Sequence, residues 1–317
     1  MYIFLNIYVA GRINIDTIIE IEGHISPGMK YTGKLVLEDL GGTATNIATA
    51  IKRYDRRHRV FILGSIGKDY KDYIFRLLES EGIECSYISI TDSYTGRAYI
   101  FINSSRESTI VTLSGANDLY SLDKLGEIHS DSIIVIANTQ RTTALKLINI
   151  ANDMDLKLFL DPGKSWMRKE DLRLIKTECF FLPNIDEFRY LFNRDIDDIQ
   201  DIDTGRCIPI VKMGSRGSMA INWLEGYIVE LSSIPIERIG LKPMSTAGCG
   251  DTFTGVFIAS YIETNNIIES LKRAIVAASI KMSRISSRDS PYRDEIERIL
   301  QRVEQENLLR ITIRNLR

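Results

Sequence analysis

The sequence predicts an α/β fold, a doubly wound and mostly parallel sheet with helices on both faces plus a small β-sheet lid. Short apolar runs alternate with helix-spaced segments along most of the 317 residues. The apolar runs are rich in β-branched and aromatic residues and show no polar alternation, which is typical of strands covered on both faces. Two further segments do alternate between apolar and polar residues, and these predict the separate small sheet.

The order of the elements predicts the parallel sheet, because strands that alternate with helices form βαβ units. The predicted buried strands are 60–66, 132–138, 156–162, 179–184 and 207–214. The predicted helices are 43–54, 72–82, 141–153 and 185–193. Residues 252–306 read as almost entirely helical, and the amphipathic pattern of 293–309 predicts a helix packed on the body of the protein.

The two alternating segments are residues 13–38 and 94–113, and each contains turn residues between its apolar runs. Each segment predicts a hairpin with one solvated face. We expect the two hairpins to pair into one accessory sheet that acts as a lid. The whole chain, 1–317, is then a single domain with a lid subdomain.

The composition is that of an ordinary globular protein, with 44% hydrophobic and 26% charged residues and a formal net charge of −2. A charge so near zero favours neither nucleic acid nor an acidic membrane surface as a partner. No apolar run approaches the ~20 residues of a membrane span. The apolar N-terminal segment lacks a basic leader and reads as a strand. We therefore expect a cytoplasmic protein.

The cysteines predict neither a metal site nor a nucleophile. Cys85, Cys179, Cys207 and Cys249 are far apart, and no CxxC pair occurs. With three histidines in the chain, a zinc site is not indicated, and all four cysteines are expected to be thiols. Cys249 has no basic neighbour in sequence that would lower its pKa, so we do not assign it a nucleophilic role.

Two glycine-containing segments resemble phosphate-binding motifs but do not match them. The segment 161–166 reads DPGKSW, yet a P-loop also requires glycine at position 158, where leucine stands. The segment 41–46 reads GGTATN, which is not the GxGxxG of a dinucleotide-binding unit. An NAD-dependent oxidoreductase would require that motif after the first strand, so the sequence does not support this class.

The segment 245–255, STAGCGDTFTG, fits a phosphoryl group better. Its small residues allow consecutive backbone N–H groups to converge, and a helix that begins near Cys249 would direct its positive end to the same point. Asp251 in that first turn could act only as a helix cap. A cap, however, requires no flexible glycine loop before it. The pattern therefore favours an anion hole beside a general base.

Seven segments together resemble the ribokinase-like (PfkB) family of carbohydrate and nucleoside kinases, from about residue 7 to residue 282. The GGxxxN and (T/A)GxGDxF elements are specific in combination. The resemblance implies the α/β fold with a β-sheet lid and transfer of the γ-phosphoryl group of ATP to an alcohol. The segments are GRINID (11–16), LGGTATNIATA (40–50), LSGAND (113–118), FLDPG (159–163), LPNIDE (182–187), VKMGSRG (211–217) and STAGCGDTFTGVF (245–257).

The resemblance also implies roles for individual residues around the acceptor. Asp251 matches the catalytic base. Asn46 could instead cap or back-bond its own helix, but the adjacent glycine pair favours a ligand-binding role. The anion hole matches Ala247, Gly248, Cys249 and Gly250. The positions that hold the acceptor hydroxyls match Asn14, Asp16, Gly41, Gly42 and Asn46.

A second group of residues matches the family positions near the nucleotide and the metal. ATP and Mg²⁺ are the implied cofactors, with Glu187 supporting Mg²⁺ through water. Glu187 could equally serve only as an acidic complement to a helix N-terminus, and Lys212 could be a surface charge at a strand end. The nucleotide-binding group consists of Asn184, Glu187, Lys212, Gly214 and Gly217.

The sequence also departs from the family pattern. Ser245 stands where the family usually has an aspartate that helps to hold a monovalent cation, so activation by potassium is not implied for this chain. The positions that border adenine are only loosely matched in 274–284, which leaves the choice between ATP and ADP open.

We expect a sugar kinase that acts on a neutral acceptor, since Arg12 is the only basic residue in GRINID. The alternatives are a nucleoside kinase of the same fold and a catalytically silent protein that binds a small metabolite. Apolar edges on lid hairpins predict a homodimer formed through the lid.

Overall fold

The computed structural model describes residues 4–104, 108–198 and 202–316, without the side chains of residues 164 and 165. Residues 105–107 of the predicted second hairpin and the chain ends of the predicted domain 1–317 lie outside this description. The strands in chain order are β1 (Asn6–Gly11), β2 (Asn14–Ile21), β3 (Gly33–Gly41), β4 (Arg59–Gly67), β5 (Ile83–Glu84), β6 (Ile88–Thr91), β7 (Gly96–Ile102), β8 (Ser108–Leu113), β9 (Ser132–Ala137), β10 (Lys157–Asp161), β11 (Cys179–Phe181), β12 (Cys207–Lys212), β13 (Ser218–Asn222), β14 (Tyr227–Leu231) and β15 (Ile311–Asn315).

The helices lie close to their predicted positions, and the first matches its predicted bounds at both ends. The region expected to be almost all helix contains three helices with a non-helical segment, 283–292, before the last. The α-helices are α1 (Thr43–Tyr54), α2 (Lys71–Ser80), α3 (Arg141–Met154), α4 (Gly163–Trp166), α5 (Ile185–Phe192), α6 (Cys249–Thr264), α7 (Ile267–Met282) and α8 (Arg293–Gln305).

The larger sheet confirms the predicted doubly wound architecture. In the described residues its path is β15-β14-β13-β12-β11-β10-β9-β1-β4-β5, with β6 also paired to β4. The pairs from β12 through β9 and β1 to β4 are parallel. Ile7 and Val9 of β1 pack in one core, and Tyr8 and Ala10 pack in another, because alternate side chains of a strand point to opposite faces.

Three antiparallel strands extend this sheet and were not predicted. β12 pairs with β13, β13 with β14 and β14 with β15, each in antiparallel register. All five residues of β15 are exposed, so this strand carries no buried face that a hydrophobic pattern could reveal.

The two predicted hairpins form one separate sheet, in the order β3-β2-β7-β8. β2 pairs with β7 in parallel, from Asn14 opposite Gly96 to Glu20 opposite Ile102. One face packs Ile18, together with residues of β7, against Ala247 at the start of α6. The small sheet therefore covers the segment that the sequence assigns to phosphoryl binding. β3 also continues to Gly41, beyond the predicted boundary at residue 38.

One cysteine pair differs from expectation. Cys179 and Cys207 form a disulfide between neighbouring strands β11 and β12, where they lie opposite each other with Cα atoms 4.3 Å apart. The order of strands in the sheet creates this contact, and a separation of 28 residues gives no sign of it in the sequence. Cys85 and Cys249 are free thiols, as expected.

No helix among residues 4–104, 108–198 and 202–316 is long and apolar enough to cross a membrane.

Candidate active site

A cavity of about 370 Å³ lies between the two sheets, at the carboxyl ends of the parallel strands. Ligands of open α/β sheets bind at this edge. The wall includes residues of the small sheet, the residues that directly follow β1 and β9, the N-termini of α1 and α6, and segment 283–292. Its lining consists of Arg12, Asn14, Asp16, Gly42, Thr43, Asn46, Ala98, Ile100, Ile110, Thr112, Asn138, Ala247, Gly248, Asp251 and Ser287.

Asp251 lies in this cavity and does not cap its own helix. The N-cap of α6 is Gly248, which has a φ of +79° and no side-chain cap bond. The Asp251 carboxylate instead accepts a 2.7 Å hydrogen bond at Oδ2 from Nδ2 of Asn46. The amide nitrogen of Asn46 therefore bonds to Asp251 and not to the backbone of α1. Both alternatives based on helix capping are therefore wrong for these two residues.

The surroundings of Asp251 favour a proton acceptor that works near neutral pH. Burial raises the pKa of Asp251 to about 6, and the neighbouring Asp161 and Glu187 also raise it. The hydrogen bond from Asn46 and the ammonium group of Lys212 act in the opposite direction. A general base is most effective when its pKa lies near the working pH.

A glycine in α6 allows Asn46 and Asp251 to meet. A Cβ at Gly255 would lie 2.5 Å from Cβ of Ala50 and 2.7 Å from the carbonyl oxygen of Ile47. Only glycine therefore permits α1 and α6 to cross this closely. Since Asn46 and Asp251 each lie about one turn from this crossing, their hydrogen bond depends on it.

Three backbone N–H groups of residues 247–251 have no hydrogen-bond partner among the described residues. The N–H of Ala247 is bonded to Oγ of Ser245 and that of Cys249 to the carbonyl of Thr246. The groups that remain belong to Gly248, Gly250 and Asp251. Of the four residues predicted to form an anion hole, Gly248 and Gly250 therefore have unbonded N–H groups and Ala247 and Cys249 do not. The adjacent Asp251 also has an unbonded N–H within the described residues.

Gly248 makes room for the segment that follows α7. A Cβ on Gly248 would lie 2.0 Å from the carbonyl oxygen of Ser287. The hydroxyl of Ser287 in turn donates a short hydrogen bond to Oδ2 of Asp16. Ser287 is a site residue that sequence reasoning missed, because its position depends on the packing of 283–292 against α6.

Asp16 is a buried carboxylate with spare hydrogen-bonding capacity. Burial raises the pKa of Asp16 to about 7, the Ser287 bond lowers it, and the charges of Asp251 and Asp39 raise it. Within the described residues its Oδ1 has no hydrogen-bond partner, and neither has Oδ1 of Asn46. Two acceptor atoms beside the cavity are therefore available for hydroxyl donors.

Gly41 and Gly42 directly precede α1. The structure requires glycine at these two positions for a reason other than the expected close approach of a ligand. A Cβ on Gly41 would lie 2.0 Å from Oδ2 of Asp16, so the Asp16 carboxylate occupies that space. Gly42 has a φ of +96°, and a Cβ there would lie 2.5 Å from the carbonyl oxygen of Arg12. Gly42 lines the cavity, whereas Gly41 leaves room for the carboxylate of Asp16.

Asn14 is fixed by Asn117 of the LSGAND segment. Nδ2 of Asn117 donates to Oδ1 of Asn14 at 2.9 Å, and Oδ1 of Asn117 accepts from the N–H of Ile13 at 2.8 Å. This arrangement orients the Asn14 amide so that its Nδ2 is the group left to donate. Asn117 is a supporting residue that motif matching did not single out.

Asn184 and Glu187 form a capping box at the start of α5. The backbone N–H of Asn184 donates to Oε2 of Glu187 at 2.8 Å, and the N–H of Glu187 donates to Oδ1 of Asn184 at 2.9 Å. The alternative helix-terminal role of Glu187 is thus realised, and Asn184 is the N-cap that completes the box. Glu187 nevertheless contributes to the pKa shifts of Lys212 and Asp251, so its charge acts on the site.

Lys212 is not a surface charge. Its side chain is 11% exposed, and Nζ donates to Oδ2 of Asp161 at 2.6 Å. Burial by itself would lower the pKa of Lys212, but the carboxylates of Asp161, Glu187 and Asp251 outweigh it and raise the pKa. Thr254 of α6 also donates to Oδ2 of Asp161, at 2.6 Å. Asp161 is the last residue of β10. Through these two bonds it holds the ammonium group of Lys212 next to Thr254, in the N-terminal part of α6.

Gly214 and Gly217 lie in the tight turn between β12 and β13. Both have positive φ angles, and a Cβ on Gly217 would lie 2.0 Å from the carbonyl oxygen of Leu231. Backbone geometry alone therefore accounts for the presence of glycine at positions 214 and 217. The turn directly follows Lys212, and Lys212 forms a parallel bridge with Asn184. The residues that the resemblance assigns to the nucleotide therefore lie close together, at the ends of neighbouring strands.

Known proteins resemble this chain in sequence and in fold. Residues 5–293 match the model of the pfkB family of carbohydrate kinases. The ribokinase of Bacillus subtilis is 25% identical over 304 residues, which cover 93% of this chain and 99% of that protein.

Two solved structures share the fold. The ribokinase of Giardia lamblia has a TM-score of 0.83 at 21% identity, over 94% of this chain and 99% of that one. The Arabidopsis thaliana ribokinase, solved with ribose and ATP, has a TM-score of 0.77 at 23% identity, over 94% and 99% of the two chains. Together with the family match along nearly the whole sequence, these findings establish that this chain belongs to the pfkB family of carbohydrate kinases.

Proposed function

We propose that this chain transfers the γ-phosphoryl group of ATP to a hydroxyl group of a sugar, with Asp251 as the general base. One observation carries the proposal. A buried carboxylate with a raised pKa lies at the N-terminus of α6 and shares a cavity with polar residues of the lid sheet. This places a proton acceptor next to free N–H donors, as phosphoryl transfer to an alcohol requires.

In the proposed reaction the acceptor oxygen attacks the γ-phosphorus atom while the bond to the β-phosphate oxygen breaks, and ADP leaves with that electron pair. The hydroxyl proton passes to Oδ1 or Oδ2 of Asp251. The N–H groups of Gly248, Gly250 and Asp251 stabilise the charge on the transferred group. Phosphoryl transfer depends mainly on positioning and electrostatics, so the fixed geometry of this loop supplies much of the catalysis.

ATP is proposed as the donor because it is the nucleotide bound with ribose in the Arabidopsis enzyme of the same fold. We assign the nucleotide to the strand ends that carry Asn184, Lys212, Gly214 and Gly217. Lys212 fits a phosphate partner, because its buried ammonium group lies close to Gly250, whose Cβ position would be 3.9 Å from Nζ.

The donor set fits a magnesium ion that arrives with the nucleotide. Mg²⁺ prefers oxygen ligands and keeps several waters, so phosphate oxygens and water would supply most of its ligands here. Oε2 of Glu187 is used by the capping box, so we propose that Glu187 supports the ion through water. When bound, the ion neutralises charge on the phosphates.

The acceptor is proposed to be a sugar, bound by hydroxyl groups that donate to Oδ1 of Asp16 and Oδ1 of Asn46. Nδ2 of Asn14 donates to a further hydroxyl oxygen. Ala98 and Ile100 of β7 form the apolar part of the wall, which suits the carbon face of a sugar ring. The closely related possibility of a nucleoside acceptor is included as an arm of the test.

We propose that the small sheet is a lid, because it contributes Asn14 and Asp16 to the cavity and covers the loop at Ala247. Closure would exclude water, which otherwise competes as the acceptor. Addition of the acceptor should then reduce hydrogen exchange in the backbone of β2 and β7. An unchanged exchange pattern in an enzyme saturated with acceptor would contradict the lid.

A homodimer formed through the lid sheet is also proposed. Its edge strands expose Leu35, Val36, Ile110, Val111 and Leu113, each more than 40% accessible. Unpaired sheet edges with apolar side chains favour pairing with a second copy. Sedimentation should show a dimer that the double variant Leu35→Lys/Val111→Lys dissociates. A wild-type particle of 36.1 kDa would contradict this proposal. The cytoplasm is the proposed compartment, since ATP is available there.

The kinase proposal is tested by ADP release in a coupled assay, with ribose, fructose, adenosine, cytidine and inosine as acceptors and with ATP or ADP as the donor. A sugar-dependent rate with ATP is expected. If only the nucleosides support turnover, the acceptor is a nucleoside and not a sugar. No turnover with any pair, although nucleotide and acceptor both bind, would favour a silent binding protein.

A further inference from the structure

Lys281 is a fully buried lysine without an ion-pair partner. It lies in the last turn of α7, and its exposure is 0%. Its Nζ donates to the backbone carbonyl of Arg284 at 3.2 Å. Within the described residues no carboxylate lies close enough to Lys281 to form a salt bridge.

Burial of an ammonium group without a counter-ion is costly, since the loss of hydration is not balanced by a nearby negative charge. Lys212, the other buried lysine near the site, has Asp161 at 2.6 Å. Burial lowers the pKa of Lys281, while Cys249, Asp289 and Asp251 oppose this change. Asp251, in the first turn of α6, is thus one of the negative groups that act on Lys281, whereas the Cys249 thiol is uncharged because burial raises its pKa to about 11.

Backbone hydrogen bonds attach the residue after Lys281 to the segment that leads into the loop Gly248–Asp251. The carbonyl oxygen of Met282, the next residue, accepts the N–H groups of Met244 at 2.8 Å and Ser245 at 3.1 Å. Sγ of Cys249 lies 3.9 Å from the carbonyl oxygen of Ser245. The C-terminal end of α7 is therefore hydrogen-bonded to residues 244 and 245, shortly before the loop Gly248–Asp251.

We propose that Lys281 is a positioning residue for phosphoryl transfer, a cation fixed within the protein behind the loop of Gly248–Asp251. The α6 N-terminus and the Lys281 ammonium group both carry positive charge, so together they favour an anion in front of the loop. The negative phosphoryl group supplies the counter-charge that Lys281 lacks in the free protein. Lys281 touches neither substrate and acts through the loop.

This inference rests on the proposed kinase function, and its test uses the full chain and a sugar that the wild-type enzyme phosphorylates. Lys281→Gln retains an N–H donor for the Arg284 carbonyl and removes only the charge. Its kcat should fall by about tenfold or more, with the KM of the sugar and the unfolding temperature nearly unchanged. Lys281→Ala should lose at least as much.

Chemical rescue separates an electrostatic role from a structural one. Ammonium or methylammonium chloride should restore much of the lost kcat of Lys281→Ala, because a small cation can enter the space that the side chain vacates. Tetramethylammonium at equal ionic strength should not. Lys281→Met fills the space and should not respond to any of these salts.

Lys52→Met is the matched control. Lys52 is also buried and donates to two backbone carbonyls, those of Arg56 and His58, but it lies at the far end of α1. Its loss should reduce stability without reducing kcat.

Wild-type kcat in Lys281→Gln or Lys281→Met would overturn the inference. So would a loss in Lys281→Ala that ammonium does not restore. An inactive wild-type enzyme would instead refute the proposed function, so the two failures are distinct.

Discussion

The amide nitrogen of Asn46 lies 2.7 Å from Oδ2 of Asp251, although 205 residues separate them in the chain. This hydrogen bond joins α1, which carries a residue proposed to bind the acceptor, to α6, which carries the proposed general base. It also fixes the rotamer of the carboxylate and favours the ionised form that can accept a proton.

The first prediction concerns pH. Asp251 must be ionised to accept a proton, so kcat/KM should fall as pH decreases through about 6, the raised pKa of this residue. Asn46→Ala removes a hydrogen bond to the charged form. The pKa of Asp251 then rises, and the acidic limb should move to higher pH by about one unit. The measurement is kcat/KM between about pH 5 and 9.

Asn152→Ala is the control for this profile, since Asn152 is a surface residue that bonds to the backbone of Leu174 and Lys176. Its profile should match that of the wild type. An acidic limb at the same pH in Asn46→Ala would show that the hydrogen bond does not tune the base.

The second prediction concerns Asp16, whose pKa is raised to about 7 from an ordinary value of 3.8. Between these values the folded state holds a proton that the unfolded state has lost, so this group makes the protein less stable as pH rises. Asp16→Asn removes that effect. Relative to the wild type, the variant should gain thermal stability at about pH 8 compared with pH 5.

The same variant should bind the sugar poorly, because a neutral amide replaces a charged hydrogen-bond acceptor. The expected increase in the KM of the sugar is about tenfold or more. A stability difference that is equal at both pH values, or an unchanged KM, would contradict the role given to Asp16.

The third prediction concerns the crossing of α1 and α6. Gly255→Ala places a methyl group where Ala50 and Ile47 already lie, at 2.5 and 2.7 Å. The free energy of unfolding should fall by about 1–3 kcal/mol, as for other overpacked cores. The rate should fall as well, because the helices that carry Asn46 and Asp251 move apart. Urea unfolding and kcat provide the two readouts.

Gly126→Ala serves as the control, because Gly126 is exposed and its added Cβ would meet only the flexible ring of Tyr87, at 3.3 Å or more. This substitution should change neither quantity appreciably. Full activity in Gly255→Ala would show that the helix crossing does not set the geometry of the base.

Local patterns predicted the parts of the fold whose burial is regular. The pattern of α1, 43–54, predicted both its ends, since Gly42 and Asp55 flank a helix with one strongly apolar face. The alternation in 13–38 and 94–113 predicted both hairpins. β15 and the Cys179–Cys207 bond could not be predicted, because the first is fully exposed and the second depends on strand order.

Within the candidate site, motifs identified some of the residues that line the cavity, among them Asn46 and Asp251, but neither Ser287 nor the residues that hold the predicted ones in place. Asn117, Asp161 and Ser287 act on Asn14, Lys212 and Asp16, respectively, across more than 50 residues of sequence. Such partners follow from packing and leave no local pattern. The aspartate of FLDPG lies at the end of a predicted strand, and this position is the one signal that could have drawn attention to Asp161.

The measurement that tests the account most directly is the kcat of Asp251→Asn with a saturating sugar, together with the affinity of the variant for nucleotide. Asparagine has nearly the same size as aspartate but cannot take the hydroxyl proton. The kcat should fall by about 10²- to 10⁴-fold while the nucleotide binds almost as well as before. An Asp251→Asn enzyme as fast as the wild type would remove this carboxylate from the mechanism.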